Sequence, residues 1–379
     1  MVRNVKFVEP AKVYRMIKDE LDAVYFEVMS KGDLIDREQL RSFEKNLADF
    51  VGTKYAVGLN SGYDALHMSL LAAGIGLGDE VIVPAHTFVA TCSAVVNVGA
   101  KPVLVDVGKD FNINVDLIEE AITENTKGII PVHLSGYMAD MPRIMEIAEK
   151  YNLAVVEDAC QSLGSSIAES PKLRTKSKKK MAGSWGLTGC WSFYPFKILG
   201  GYGDGGAITT DAPDVALFVT RMRYNGEDRN AGEYHGHGFT CLLDNLQAAF
   251  LDVKLKHLPD WIARRKQIAE RYRAALSNIP DILLPHYDRP GFDHIYQNYT
   301  VRAKQGNEFS EYLKKNGIEI LTQFRKPYYK HEALGLEDRG FSETESLSRE
   351  VCSLPMNVEI TDEEVKYVIE TVRRFYGKF

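Results

Sequence analysis

The sequence predicts an α/β fold: a central, mostly parallel sheet flanked by helices, followed by a smaller C-terminal α+β lobe. Three observations predict it. Strand-like and helix-like segments alternate through the first half of the chain, the strand-like runs are short and apolar on both faces, and a long helical pattern at residues 246–276 precedes a change of texture. Such alternation is typical of parallel strands joined by helical crossovers, and two-faced apolar runs are typical of strands covered on both sides.

The size and composition of the chain agree with a two-lobed globular protein. Its 379 residues exceed one ordinary domain, and 45% apolar and 26% charged residues are close to the averages for globular proteins. We therefore predict a large lobe with its entry helices at residues 1–255 and a small lobe at residues 256–379.

The net charge, the cysteine pattern and the N-terminal sequence indicate which classes of protein this chain does not resemble. A net charge of −6 disfavours a general nucleic-acid surface. Five scattered cysteines without CxxC or HxxxH spacing indicate reduced thiols and no metal site. Neither an apolar leader nor a stretch of membrane-spanning length is visible. We expect a cytoplasmic protein with no nucleic-acid or membrane partner.

The elements follow one another in a clear order. Apolar positions at helical spacing predict entry helices at residues 13–29 and 40–50. Helices ALHMSLLAAGI and FVATCSAVVNVG then alternate with strands EVIVP and KPVLVDV, and two further helices alternate with strands KGIIPVHL and LAVVEDA. In the small lobe we predict strand QNYTVRA, helix FSEYLKKNG, strand IEILTQF and a final helix EEVKYVIETVRRFY.

The segment LAVVEDACQSLG carries the first candidate site residues. Asp158 directly follows an apolar strand, and ligands of α/β proteins gather at the carboxyl ends of parallel strands. A carboxylate there can pair with a protonated ring nitrogen, and Gln161 can bind a substituent of the same ring. A helix N-cap beside a solvated Gln is an equal alternative for this motif alone.

The segment CWSFYPFKILGGYGDGGAITT carries the second candidate. Lys197 follows an aromatic-rich strand and precedes five glycines within seven residues. Apolar neighbours lower the affinity of a lysine for its proton, and the free amine is the form that condenses with an aldehyde. The glycines allow tight turns and close approach to a bulky ligand. The alternative is an ordinary surface lysine beside a glycine-rich hairpin.

The segment GLNSGYDALHMSLLAAG carries the third candidate, because Ser61, Gly62 and Tyr63 stand immediately before a helix. Backbone N–H groups at a helix start bind anions such as phosphate. Taken alone this signal is weak, since the same residue types serve as simple caps.

In combination these motifs resemble the DegT/DnrJ/EryC1/StrS family of sugar aminotransferases, which are fold-type-I pyridoxal phosphate enzymes. The resemblance lies in GDEVIVPAHTFVAT, PVHLSGYMADM, VVEDACQSLG, SFYPFKILGGYGDGGAITT, LQAAFLDVKLKHL and CSLPMNVEITDEEV. These blocks extend from about residue 40 to residue 375, nearly the whole chain.

The resemblance implies pyridoxal 5′-phosphate as cofactor and a role for each matching residue. Lys197 would form the Schiff base and move the proton, Asp158 would keep the ring nitrogen protonated, and Gln161 would face the ring hydroxyl. Phe88 would stack on the ring, and Gly62, Tyr63 and Ser192 would hold the phosphate. It also implies L-glutamate as amino donor, a keto sugar carried on a nucleotide as acceptor, and a homodimer with active sites at the interface.

Several positions depart from the family pattern. Tyr63 stands where Thr or Ser is common, and Thr240 replaces an Asn that normally reaches the phosphate of the neighbouring subunit. Residues 322–331, TQFRKPYYKH, differ from the family's VHYPxPLH and lie in the acceptor region. A basic insertion at residues 171–185 contains Arg174, Lys176, Lys178, Lys179 and Lys180. It is either a solvated surface loop, the favoured interpretation, or a feature that attracts an anionic substrate.

Other functions stay open beside this one. The same transamination could act on a keto sugar without a nucleotide, a sugar acid or a cyclitol precursor, because pocket shape sets the acceptor. A pyridoxal phosphate-dependent sugar dehydratase would carry histidine in place of Lys197. A non-catalytic regulator would have lost Lys197, Asp158 or Gln161, and all three are present.

Overall fold

The computed structural model describes residues 4–168, 179–285 and 289–378. Eleven α-helices occur in this part of the chain: α1 Pro10–Met16, α2 Lys18–Lys31, α3 Glu38–Val51, α4 Gly62–Ala72, α5 Val89–Asn97, α6 Met141–Tyr151, α7 Pro213–Met222, α8 Asn245–Leu276, α9 Gly306–Lys315, α10 Ser342–Glu350 and α11 Asp362–Phe375.

The strands of the same described residues are β1 Tyr55–Leu59, β2 Glu80–Pro84, β3 Lys101–Val105, β4 Thr126–Ile129, β5 Ala154–Asp158, β6 Ser166–Ala168, β7 Lys179–Met181, β8 Thr188–Ser192, β9 Gly206–Thr210, β10 Glu227–Asp228, β11 Glu233–Tyr234, β12 Ile282–Leu283, β13 Phe292–Asp293, β14 Tyr299–Ala303 and β15 Val351–Leu354.

The central sheet confirms the predicted fold class. Its seven strands lie in the order β1-β9-β8-β5-β4-β2-β3. The pairs from β8 to β3 are all parallel, and β9 is antiparallel to both β8 and β1 at one edge. Strands β2 and β5 are buried over almost their whole length, as strands covered on both faces should be. A second sheet, β12-β14-β15, lies in the C-terminal part.

Three predicted elements differ from the structure. The helix expected at residues 13–29 is interrupted at Ile17, which leaves helical geometry and is buried with Leu21 and Trp261. The segment expected to be a helix between β3 and β4 forms two short 3₁₀ turns, Val115–Leu117 and Glu119–Ala121. Tertiary packing explains the break at Ile17 and the two 3₁₀ turns, because burying a side chain in the core can outweigh the local preference for a continuous helix.

The third difference is the segment IEILTQF, for which the predicted strand was wrong. Its residues make only isolated bridges, Ile318 with Val5 and Leu321 with Ser353. Two different partners cannot form one continuous ladder. Phe324 then adopts a left-handed backbone conformation, with φ of 58°, which ends the extended run.

Helix α8 connects the two parts of the molecule. Its first half places Leu251, Leu255 and Leu258 in the core beneath the central sheet. Its second half places Ile268 and Tyr272 in the core of the smaller sheet, together with side chains of α9 and α11. A domain boundary near residue 255 stays a prediction, since one helix serves both cores. No helix in the described ranges combines the length and apolarity that crossing a membrane requires.

Candidate active site

The carboxyl ends of β5 and β8 bring the predicted site residues together. The two strands are parallel neighbours, and Asp158 at the end of β5 pairs in register with Cys190 of β8. Ser192 ends β8, and Lys197 follows five residues later. Because parallel strands of an open sheet end at the same edge, residues far apart in sequence meet there.

Asp158 is a buried carboxylate held by neutral donors. Its side chain accepts a hydrogen bond from the Thr91 hydroxyl at 2.9 Å and one from the Cys160 backbone N–H at 3.3 Å. Only 7% of the residue is exposed, and no Lys, Arg or His of the described ranges forms an ion pair with it. A buried anion without a cation is costly unless a ligand supplies the positive partner.

The start of α4 forms a narrow backbone cradle beside this carboxylate. Ser61 is the N-cap: its hydroxyl oxygen accepts from the Asp64 N–H, so the capping function proposed as an alternative is real for this residue. The N–H groups of Gly62 and Tyr63 begin the helix and have no intrahelical carbonyl to bind. A Cβ at Gly62 would stand 2.8 Å from Ser192 Cβ and 2.9 Å from Cys160 Sγ.

The electrostatic environment of the cradle favours binding of an anion. Burial raises the pKa of the Cys160 thiol well above its usual value, so the sulfur beside Gly62 stays neutral at physiological pH. The two free N–H groups and the helix dipole point the same way. A phosphate fits this donor set, while a side chain on residue 62 would not.

The phenol of Tyr63 is engaged elsewhere. Asn97 at the end of α5 donates to its oxygen at 2.6 Å, and its ring stacks on His67 with centroids 5.9 Å apart. This arrangement favours the backbone N–H of Tyr63, rather than its side chain, as the phosphate donor. Direct contact between Tyr63 and the cofactor stays a prediction.

Lys197 lies at the wall of an open cavity of about 510 Å³. Gln161, Tyr194, Gln297, Asn298 and Gln323 line the same cavity. Its volume is typical of small-molecule sites. Lys197 and Gln161, which lies three residues after Asp158, therefore face a space large enough for a small-molecule ligand.

Gln161 is oriented by a strained turn. Its side-chain oxygen accepts from the Ser135 N–H at 2.7 Å, which leaves its amide hydrogens for a ligand in the cavity. Ser135 has a left-handed backbone, with φ of 57°, uncommon for a residue other than glycine. Backbone strain of this kind clusters at functional sites.

Two predicted residues are less constrained in this chain. Phe88 precedes α5 with 60% of its surface exposed, three residues before Thr91. Thr240 is exposed and donates to the side-chain oxygen of Asn225 at 3.1 Å. Stacking by Phe88 and a contact by Thr240 across a dimer both stay predictions.

The basic insertion divides into two parts. Arg174, Lys176 and Lys178 lie outside the described residues. Lys179 pairs with Asp293 at 3.0 Å, and Lys180 lies over the Trp185 ring at 4.7 Å. The last two lysines therefore have partners within the fold.

Sequence reasoning missed several residues of the site. Thr91 of α5 donates to Asp158, and Thr87, just before the helix, lies 2.9 Å from the Thr91 hydroxyl. Ser135 orients Gln161, and Gln297 contacts the backbone beside Lys197. The block HTFVAT contained both threonines, which stand next to a predicted helix start and were the available signal.

The assembled residues fit pyridoxal phosphate by the chemistry of their donors. One edge of one sheet carries an amine for an aldehyde, a backbone cradle for a phosphate, and a buried carboxylate for a ring N–H that has no cationic partner among the described residues. Each group alone is ambiguous. Together they match the three polar ends of that cofactor.

Comparison with known proteins identifies an aminotransferase family over nearly the whole chain. The model of the DegT/DnrJ/EryC1/StrS aminotransferase family matches residues 15–373. A pleiotropic regulatory protein of Geobacillus stearothermophilus is 36% identical over 99% of this chain and 100% of its own length. A dTDP-3-amino-3,4,6-trideoxy-α-D-glucose transaminase of Streptomyces venezuelae is 36% identical over 98% of this chain and 96% of its own.

A solved structure agrees equally well. The crystal structure of S. venezuelae DesV in complex with a ketimine intermediate superposes with a TM-score of 0.93 at 34% identity. The match covers 99% of both chains.

Proposed function

This chain belongs to the DegT/DnrJ/EryC1/StrS aminotransferase family, whose cofactor is pyridoxal 5′-phosphate, and from that premise we propose that it transfers the amino group of L-glutamate to a nucleotide-linked keto sugar. The products are 2-oxoglutarate and the corresponding amino sugar. Nitrogen and hydrogen thus balance between the two substrates, and no external oxidant or reductant is needed.

The observation that carries the proposal is the buried Asp158 carboxylate, held by a hydroxyl and an N–H but by no cation of the described chain. A bound ring nitrogen that keeps its proton would neutralise it. The free N–H groups at Gly62 and Tyr63 supply a phosphate site within the same edge of the sheet.

Each residue has a task in this reaction. The bound cofactor supplies an electron sink that holds the amino group between donor and acceptor. Lys197 moves a proton at the reacting carbon, Asp158 keeps the ring nitrogen protonated, and Thr91 orients Asp158. Gln161, fixed by Ser135, presents its amide hydrogens to the cavity, where they orient a bound oxygen.

The nucleotide on the acceptor is supported by similarity. The S. venezuelae relative is named for a dTDP-linked amino sugar, and this chain is 36% identical to it. The cavity beside Lys197 also presents amide side chains of Asn298 and Gln323, which suit sugar hydroxyls. Acceptors without a nucleotide remain the alternative.

We further propose a two-fold homodimer. Helix α2 leaves apolar side chains uncovered, and the loop after it adds two more; the exposed residues are Tyr25, Phe26, Met29, Leu34 and Ile35. An apolar patch of this kind marks an interface. Light scattering tests the proposal: Phe26→Asp should have the mass of a monomer. A variant that stays dimeric would exclude this face as the interface.

A cytoplasmic location stays a prediction from the sequence.

The deciding experiment follows the visible absorption of the cofactor-loaded protein. Wild type should show a band that borohydride abolishes and that shifts when L-glutamate is added. Lys197→Ala should lack the band, whereas Lys256→Ala, an exposed lysine of α8, should keep it.

The acceptor can be identified from the same sample. After glutamate is removed, a true acceptor restores the original band, so candidate nucleotide-linked and free keto sugars can be compared directly. If wild type never shows the band, the aminotransferase proposal fails. A regulatory role, suggested by the name of the Geobacillus relative, would then take precedence.

A further inference from the structure

Gln297 holds the backbone on both sides of Lys197. Its side-chain oxygen accepts from the Ile198 N–H at 2.7 Å, and its side-chain nitrogen donates to the Phe196 carbonyl at 3.0 Å. The two contacts fix which end of the amide is which, because one partner is a donor and the other an acceptor. One side chain therefore brackets the lysine.

Gln297 is itself held firmly. Only 6% of the residue is exposed, and the buried Arg265 of α8 donates to the carbonyls of both Tyr296 and Gln297 at 3.0 Å. Tyr296 has a left-handed backbone, with φ of 54°. A left-handed Tyr296 and a buried guanidinium both cost free energy. Such costs are typical of sites where the position of a side chain matters, here that of Gln297.

Gln297 also connects two parts of the fold. It stands just before β14, the middle strand of the smaller sheet, while Lys197 follows β8 of the central sheet. Two other side chains, Lys254 and Gln247, also bind this segment, but at Gly200 and Tyr202, three and five residues beyond the lysine. Among the described residues, Gln297 is the one whose side chain binds both neighbours of Lys197.

We propose that Gln297 is a positioning residue for Lys197, which fixes the lysine backbone relative to the cavity so that the amine meets the carbonyl carbon of the cofactor. The inference rests on the proposed function. Because Gln297 binds the backbone on both sides of Lys197, a shift of the segment that carries Gln297 would move the lysine, which lines the same cavity. An amine that is already held in the reactive orientation loses less conformational entropy when it reacts.

The first test is the affinity of cofactor-free protein for pyridoxal phosphate, measured by absorption titration. Gln297→Met keeps the approximate volume but removes both hydrogen bonds, and its Kd should rise about tenfold or more. The matched control is Gln247→Met, the same change at a glutamine that binds the segment beyond the lysine; its Kd should stay within about threefold of wild type.

The second test uses a pH-dependent rescue that a purely structural role would not produce. In Gln297→Glu, an ionised carboxylate accepts from Ile198 but repels the Phe196 carbonyl. A protonated carboxyl donates and accepts like the amide. Cofactor affinity should therefore be weak at pH 8 and recover as pH falls toward 5.5, relative to wild type and Gln297→Met at each pH.

The outcomes separate the two proposals. If wild type forms no borohydride-sensitive band, the proposed function fails. If wild type forms it and Gln297→Met binds equally well, or Gln247→Met loses as much affinity, the positioning proposal is overturned. Absence of relative recovery in Gln297→Glu at low pH also overturns it.

Discussion

The hydroxyl of Thr91 donates a hydrogen bond to the carboxylate of Asp158 over 2.9 Å, across 67 residues of sequence. Since the single hydrogen of Thr91 is used in this way, Thr87 must donate its own hydrogen to Thr91 at 2.9 Å. The hydroxyl of Thr91 in the first turn of α5 and that of Thr87, just before the helix, thus form a chain that ends on the carboxylate. The chain fixes the orientation of Asp158 before any ligand binds.

Thr91→Val should therefore reduce kcat/KM by about tenfold to a hundredfold, because one hydrogen bond to a charged group is lost while the shape is kept. Steady-state kinetics with L-glutamate as donor measure this loss. Thr87→Val, one step further from the carboxylate, serves as control with an expected loss of about threefold or less. A larger effect at Thr87 than at Thr91 would contradict the proposed order of the chain.

Gly62→Ala should damage the phosphate cradle. The added methyl would lie 2.8 Å from Ser192 Cβ and 2.9 Å from Cys160 Sγ, closer than packed carbon and sulfur atoms tolerate. We expect a loss of about 1–3 kcal/mol in the free energy of unfolding and weaker cofactor binding. Urea unfolding and absorption titration measure the two effects.

The control for this change is Gly76→Ala. A Cβ at Gly76 would meet only the Val98 carbonyl oxygen, at 3.7 Å, which is an ordinary contact. Its stability and cofactor affinity should match wild type. If Gly62→Ala also matched wild type, backbone approach at α4 would not be needed for phosphate binding.

Lys254 should make stability rise with pH in the alkaline range. Burial lowers the pKa of Lys254 from 10.5 to about 8. Between these values the unfolded chain binds more protons than the folded one, so raising the pH stabilises the fold. Below about pH 8 the cost of burying the ammonium group is present in full, and above about pH 10.5 it is absent.

Lys254→Met removes this titration. Relative to the variant, wild type should gain at most about 3 kcal/mol of unfolding free energy between pH 8 and 10.5. Urea unfolding at several pH values measures the difference, with the exposed Lys256→Met as control. Parallel pH curves for wild type and Lys254→Met would refute the prediction.

His86 should lower the stability of the fold at acid pH. Burial lowers its pKa from 6.5 to about 4, so the folded protein holds a neutral imidazole where the unfolded chain is protonated. Stability should therefore fall as pH drops from 6.5 to 4. In His86→Leu this part of the acid loss, at most about 3 kcal/mol, should disappear. Thermal unfolding across pH 4–7 tests this, and an unchanged acid slope would reject it; the exposed His237→Leu is the control.

Much of the large lobe could be predicted because its signals are local. The apolar runs that became β2, β3, β4 and β5 carry their burial in their own composition. The predicted strand IEILTQF was wrong because its apolar residues bind two separate partners, Val5 and Ser353. Composition records that a residue will be buried, but not which segment will cover it.

The sequence by itself determined the chemistry: an amine at Lys197, a carboxylate at Asp158 after a buried strand, a glycine at the start of α4, and the order that joins them. Only the tertiary structure decided how these groups are held, with Thr91 on Asp158, Asn97 on the Tyr63 phenol and Gln297 on both sides of Lys197. The reason is physical. Residue types fix which charges and hydrogen bonds are available, whereas partners 34 to 101 residues apart meet only once the sheet and its helices have packed.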